Sequence, residues 1–337
     1  MKLSSTSRKP GYCPTIMANK AEPGMIYEYY AANDGCNLAF QTSLPVGEKA
    51  RPEARYQRCI LLLHGFSGSS AYFTRNFEGL SRDHWVVAPD MRGHGNSGRP
   101  VGGYHVARLA ADLRGLVAHV RASLNLDEAV KIVPVGCSIG AAVLWTYVEL
   151  FGCDDFSGFI FVDQGPLQDR SPFGNWDESK SHLGCYDERT MQAAQREWIH
   201  DSANAHLGLV QSCLGYRHAP ESTTDDLSDE RRRRDEEFFT HISAQCDQTW
   251  LAKLLADHTR YDHREAIADI TLPTLVMAGR RTGCFPLEGM KETARLIESR
   301  NPGAAKVSVF DSGHWLFYEE PERFNEEITK FVRMCLG

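Results

Sequence analysis

Carbonyl chemistry of the acyl-transfer kind needs an alcohol or thiol, a base to take its proton, and donors for the charge that develops on oxygen. The alcohol with the clearest address in this chain is Ser138, in Gly136-Cys137-Ser138-Ile139-Gly140. An apolar run ending at residue 135 precedes it, and a helix-forming stretch, residues 141–150, follows at once. Strand, sharp turn and helix in that order lift one hydroxyl above the end of a sheet. Gly136 and Gly140 lack a Cβ, so strand and helix can approach closely around the serine. A bare Gly-x-Ser-x-Gly is a weak motif; its position between a buried-strand pattern and a helix gives it weight. The neighbouring Cys137 is expected to pack inward.

A serine hydroxyl is a poor nucleophile until a base, held in the right tautomer, removes its proton. His314, in Phe310-Asp311-Ser312-Gly313-His314-Trp315, follows the last expected strand and so falls on the same sheet edge as Ser138. The other histidines lack such an address: His64 belongs to a His64-Gly65 turn and His94 to Arg92-Gly93-His94-Gly95. An oxyanion hole requires two convergent backbone N–H groups. Ile139, next to the nucleophile, supplies one, and Phe66, in the turn after the first buried strand, supplies the other. The bland alternative, a flexible Gly/Ser loop, is disfavoured because that loop leaves the strand whose end must face Ser138. His64, Gly65 and Trp315 are expected to line the substrate pocket.

Positioning these groups requires a sheet. Strand-like runs at 25–30 and 38–44 flank the turn former Asn33-Asp34-Gly35, and Cys59-Ile60-Leu61-Leu62-Leu63 has the continuous apolarity of a strand buried on both faces. A helix is expected at 71–80, a strand at 85–88, and a helix at 104–124, where Val106, Leu109, Leu113, Leu116, Val117 and Val120 keep helical spacing. A strand at 158–162 follows the serine turn and its helix. The rhythm resumes with a strand at 274–278, a helix at 287–298, a strand at 306–310 and a helix at 322–336. Such alternation predicts an α/β fold with a doubly wound, mostly parallel sheet. The intervening stretch is too long for a bare loop and predicts a helical cap over the carboxyl edge of the sheet. The organisation expected is a tail (1–23), a core (24–165 and 271–337) and a helical cap or lid (166–270).

Composition bounds the function. With 337 residues the chain can bury a large core, and a net charge of -7 disfavours nucleic acid as a partner. The run Arg231-Arg232-Arg233-Arg234 is flanked by acidic residues and is expected to be a solvated helix face. The ten cysteines form no Cys-x-x-Cys pair and no Cys/His cluster at metal-ligand spacing, so neither metal nor cofactor is expected. No apolar run reaches membrane-span length, and the first 20 residues lack a signal-like apolar stretch. These features predict a cytoplasmic setting with free thiols. They are silent on oligomeric state.

His64-Gly65-Phe66, Asp90-Met91-Arg92-Gly93-His94-Gly95-Asn96-Ser97, the Ser138 motif and Gly313-His314 occur in the order and spacing of the α/β-hydrolase superfamily. From residue 27 to 331, outside the insertion, the chain resembles that superfamily, closest to its esterase, lactonase and cofactor-free chloroperoxidase branch. The resemblance implies the fold and a Ser–His–acid mechanism; the substrate is not implied, since one fold hosts many chemistries. The acid departs from the commonest pattern. Many members carry an aspartate after the strand matching 274–278, where this chain reads Gly279-Arg280-Arg281-Thr282-Gly283-Cys284-Phe285-Pro286. The preceding strand ends in Val162-Asp163-Gln164, and lactonases acting on zearalenone are similar in placing their acid there, so the resemblance implies Asp163 as the acid. The alternatives are Asp311, expected to turn its loop, Glu288, expected to cap a helix, and an Asp163 that only pins the first loop of the cap. Arg92 and its glycines are expected to shape a turn. Of the cap aromatics Phe173, Trp176, Tyr186, Trp198, Tyr216, Phe238, Phe239 and Trp250, most are expected in the cap's own core, with two or three facing substrate.

The expected function is a serine hydrolase that cleaves a small to medium apolar carboxylic ester or lactone through an acyl-enzyme. The alternatives on the same triad are a cofactor-free chloroperoxidase or perhydrolase and a C–C hydrolase. From a different class, the fold could serve as a non-catalytic small-molecule receptor. Serine at 138 excludes dehalogenase and epoxide hydrolase chemistry, which needs an aspartate there.

Overall fold

A computed structural model of the protein describes residues 20–45, 58–123, 130–171, 175–221 and 227–336. Its eight strands are β1 (Ile26–Ala31), β2 (Asn37–Thr42), β3 (Arg58–Leu63), β4 (Trp85–Pro89), β5 (Lys131–Cys137), β6 (Phe159–Val162), β7 (Thr274–Gly279) and β8 (Ala305–Phe310). They form one sheet in the order β1-β2-β4-β3-β5-β6-β7-β8. The β1–β2 and β2–β4 pairs are antiparallel and every other pair is parallel. The expected doubly wound, mostly parallel sheet is what the chain builds. Residues 59–63 and all of β4, β6 and β7 are buried, because helices cover both faces of a parallel sheet.

The covering helices are α1 (Phe77–Ser81), α2 (Val106–Ser123), α3 (Ile139–Phe151), α9 (Leu287–Arg300), α10 (Leu316–Glu319) and α11 (Pro321–Leu336). The apolar stripe read from sequence between Val106 and Val120 is the buried face of α2, which packs on α3. The single helix expected at 71–80 is instead a 3-10 turn, Ser70–Phe73, followed by the short α1. Asn76 separates them. Its side-chain amide donates to Phe317 O (3.0 Å) and Asn325 Oδ1 (3.1 Å), which ties this segment to the end of the chain.

Between β6 and β7 run α4 (Glu188–His200), α5 (Ser202–Cys213), α6 (Asp229–Ala244), α7 (Gln248–Arg260) and α8 (Arg264–Ala268). Side-chain caps start four of them. Asp187 and Thr190 form a reciprocal capping box on α4, and Asp201, Ser228 and Asp247 each accept an N–H of the following first turn. Helices α4 and α7 pack on each other, as do α5 and α6, whereas α8 packs on α3 and α9 of the core. The arginine run lies in α6, where Arg231, Arg233 and Arg234 are exposed and Arg233 pairs with Glu237 at 3.8 Å. No helix among the described residues is long and apolar enough to cross a membrane. The expectation of a loose tail at 1–23 falls mostly outside the described residues.

Candidate active site

Three adjacent parallel strands, β5, β6 and β7, end at one rim, and their ladder bonds continue into the turns that follow. Ser138 N–H donates to Val162 O (2.9 Å), and Asp163 N–H donates to Met277 O (2.8 Å). Both turn residues have left-handed backbone, Ser138 at φ 54° and Asp163 at φ 49°. For residues other than glycine such conformations cost about 1–3 kcal/mol, and the surrounding hydrogen bonds hold them there. The glycines around Ser138 are required sterically. A Cβ on Gly136 would lie 2.6 Å from Ala141 N, and one on Gly140 would lie 2.7 Å from Leu63 O.

His314 arrives from the loop after β8. Its Nδ1 lies 2.5 Å from Asp163 Oδ2, while Asp163 Oδ1 accepts the Gly279 N–H at 2.8 Å. The carboxylate is fully buried. Burial pushes its pKa up, and the hydrogen bond and charge of His314 pull against that rise. Burial would lower the His314 pKa; the negative charges of Cys284 and Asp163 outweigh it, so the imidazole titrates above its ordinary value. The histidine loop is anchored to the end of α5. His314 N–H donates to Cys213 O (2.8 Å), and the Glu319 carboxylate accepts N–H groups from both Gly313 (3.1 Å) and Gly215 (3.1 Å).

Asp311 has other partners. Its carboxylate meets Arg280 Nε at 2.7 Å and Arg281 Nε at 3.1 Å. Arg281, in the loop after β7, is buried and donates to the Asp311 and Gly215 carbonyls. Glu288 lies exposed in the first turn of α9, paired with Lys291.

Ser138 and His314 line one cavity of about 230 Å³. Phe66, Ala194, Trp198, Ala205, Leu209, Leu255 and Phe285 give it apolar walls, and Gln168, His182, Glu197, Ser212 and His258 add polar edges. The Ser138 hydroxyl donates to Gln164 Oε1 at 3.4 Å, a long bond. Ile139 opens α3, so its N–H belongs to the first helical turn and has no intrahelical acceptor. Phe66 lies in the loop after β3. That loop comes so close that a Cβ on Gly65 would sit 3.8 Å from Ser138 Oγ.

Three pocket expectations need correction. His64, Gly65 and Trp315 are not among the residues lining the cavity. His64 is fully buried, accepts the Met91 N–H on Nε2 (2.9 Å) and engages Gly65 O through Nδ1, and burial holds its pKa well below the usual value. Trp315 stacks on Phe239 with ring centroids 3.6 Å apart and packs edge-on against Tyr72, so it is core. Of the aromatics named in the insertion, Trp198 alone lines the cavity among the described residues, and Phe173 lies outside them. Arg92 lies in the turn after β4, where its guanidinium pairs with the carboxylates of Asp112 (2.5 Å) and Asp34 (2.9 Å).

Sequence spacing missed Gln164, His182, Cys284 and Phe285. Only Gln164, adjoining Asp163, carried a usable signal. It also missed a cluster that spacing could not reveal. Cys213 and Cys284, 71 residues apart, approach to 3.6 Å between sulfurs, and their Sγ atoms and a ring nitrogen of His314 all lie within 4.8 Å of one another. The absence of a Cys/His cluster in sequence therefore does not hold in space.

A family model described as alpha/beta hydrolase fold matches residues 59–321. The AB hydrolase superfamily protein YisY of Bacillus subtilis is 24% identical over 288 residues, covering 81% of this chain and 91% of that protein. Among solved structures, the esterase EaEST from Exiguobacterium antarcticum superposes with a TM-score of 0.71 at 18% identity, over 90% of this chain and 98% of its own. A bromoperoxidase from Bacillus anthracis gives 0.72 at 19% identity, over 91% and 100%. At these identities the structural likeness speaks for the fold alone.

Proposed function

The chain belongs to the α/β-hydrolase family, and from that premise we propose that it is a serine hydrolase cleaving a small to medium apolar carboxylic ester or lactone. The observation that carries the reading is the convergence on one rim of a strained serine, an imidazole and a buried carboxylate that already engages that imidazole. The hydroxyl exchanges Gln164 for Nε2 of His314 by turning about its Cα–Cβ bond. Ser138 Oγ then attacks the substrate carbonyl while His314 takes its proton, and Asp163 fixes Nδ1–H and stabilises the imidazolium. Negative charge on the tetrahedral oxygen is met by the N–H groups of Ile139 and Phe66. His314 returns the proton to the leaving alcohol, and water, activated by the same imidazole, releases the acid.

Residues 166–270 act in this reading as a cap whose α4, α5 and α7 wall the cavity. A volume of about 230 Å³ falls below the ~300–1,000 Å³ of sites for drug-sized ligands, which favours compact substrates. The apolar wall favours a hydrocarbon acyl group or ring over a charged one. Treatment with a fluorophosphonate probe, followed by peptide mapping, is expected to label Ser138, and turnover of nitrophenyl esters is expected to fall with acyl length. An unlabelled Ser138 in folded protein would overturn the proposal in favour of a binding role.

A further inference from the structure

The buried thiols beside the base have no part in the mechanism above. Cys213 closes α5, Cys284 lies in the loop after β7, and His314 follows β8, so three separate segments deliver two sulfurs and one imidazole to a single point. The sulfur separation of 3.6 Å is close to the ~3.8 Å edge of a tetrahedron with metal–sulfur bonds of about 2.3 Å. Backbone bonds fix the frame: Cys213 O accepts from His314 N–H (2.8 Å), and Cys284 O accepts from Leu183 N–H (2.9 Å).

We propose that Cys213, Cys284 and His314 form a binding site for a thiophilic divalent cation of the zinc class, whose occupancy switches the hydrolase off. Two soft thiolates and an imidazole are the donor set such ions select. Nδ1 of His314 is committed to Asp163, so the nitrogen left to ligate is Nε2. A carboxylate holding the far side of a ligating histidine is the usual support for such a ligand. Binding releases the two thiol protons to solvent. A dication with two thiolates is then neutral as a unit, which keeps the cost of burying it low. Cys284 also lines the cavity, so the fourth coordination position opens towards substrate space.

The inhibitory half of the proposal rests on the serine-hydrolase reading; the binding half does not. Chelator-stripped protein kept reduced by a phosphine is titrated with Co²⁺, then with Zn²⁺. Wild type is expected to develop thiolate-to-cobalt charge-transfer absorption saturating at one ion per chain, which Zn²⁺ abolishes. Cys213→Ser and Cys284→Ser are each expected to weaken cobalt affinity on the order of a hundredfold. Ser138→Ala is expected to keep the absorption intact. Hydrolysis by wild type is expected to fall at least roughly tenfold at saturating Zn²⁺ and to recover with chelator, in line with loss of the base. Cys213→Ser, compared with its own metal-free rate, is expected to resist. Absence of the absorption, its survival at full affinity in Cys213→Ser and Cys284→Ser, or equal zinc inhibition of Cys213→Ser would each overturn the proposal. Failure of Ser138 to take a fluorophosphonate label in metal-free protein would sink the hydrolase reading instead and leave the cobalt titration standing.

Discussion

The cavity has two halves built on opposite principles. Its rim is made of strand tips, where Ser138 and Asp163 are held in left-handed backbone by hydrogen bonds running from strand to strand. Its walls come largely from α4, α5 and α7, regular helices started by side-chain caps. Strain sits where atoms must be aimed, and the central strands β6 and β7 behind it are fully buried. The walls carry no such strain, and apart from the end of α5, which anchors the His314 loop, they can change shape without disturbing the aim. Chemistry and selectivity should therefore respond separately to mutation.

The harshest test of that separation is Ser138→Ala, expected to lower kcat/KM by about 10⁴–10⁶ while circular dichroism and melting stay near wild type. Next comes Asp163→Asn. Its amide would donate to Nδ1 and leave the imidazole proton on the wrong nitrogen, with a loss of about 10⁴ in kcat. The matched control is Asp311→Asn, expected to change kcat by less than about threefold, because its partly exposed carboxylate meets the guanidiniums of Arg280 and Arg281 while Asp163 engages the imidazole. If Asp311→Asn proved the damaging variant, the rim as described would be wrong.

In the walls the effects should be smaller and depend on substrate. Ala194→Trp is expected to reduce kcat/KM for long acyl esters roughly tenfold while sparing acetates. An equal loss for every chain length would erase the distinction between rim and wall. The mildest effect concerns pH. A base works only when unprotonated, and His314 titrates above its ordinary value, so the acid limb of kcat/KM is expected at correspondingly higher pH. Cys284→Ala removes one of the charges that raise it, and the limb should then move to lower pH.

The rim was largely legible in sequence and the walls were not, for the same physical reason. Ser138 follows a strand whose apolar run marks burial on both faces, and His314 follows the last strand of the alternation, so knowing each strand gives the position of its tip. Asp163 followed from the superfamily resemblance and from its place at the end of β6. Side-chain directions within the insertion depend on how its helices pair, which local periodicity does not encode. Among the named aromatics Trp198 therefore faces the cavity while Phe239 packs against Trp315 in the core. Trp315 misled because adjacency to the base in sequence did not survive the turn into α10. The Cys213–Cys284 pair was invisible because only the folded chain brings its halves together.

Glu319 bridges Gly215 and Gly313 with a single carboxylate, moored on one side two residues past α5 and on the other to the residue before His314. Melting of the inserted helices would thus unship the imidazole, and inactivation should coincide with loss of those helices in a heating scan. Limited proteolysis between α4 and α7 should not release a trimmed, still-working hydrolase. Product escape must then depend on flexing elsewhere than at that joint.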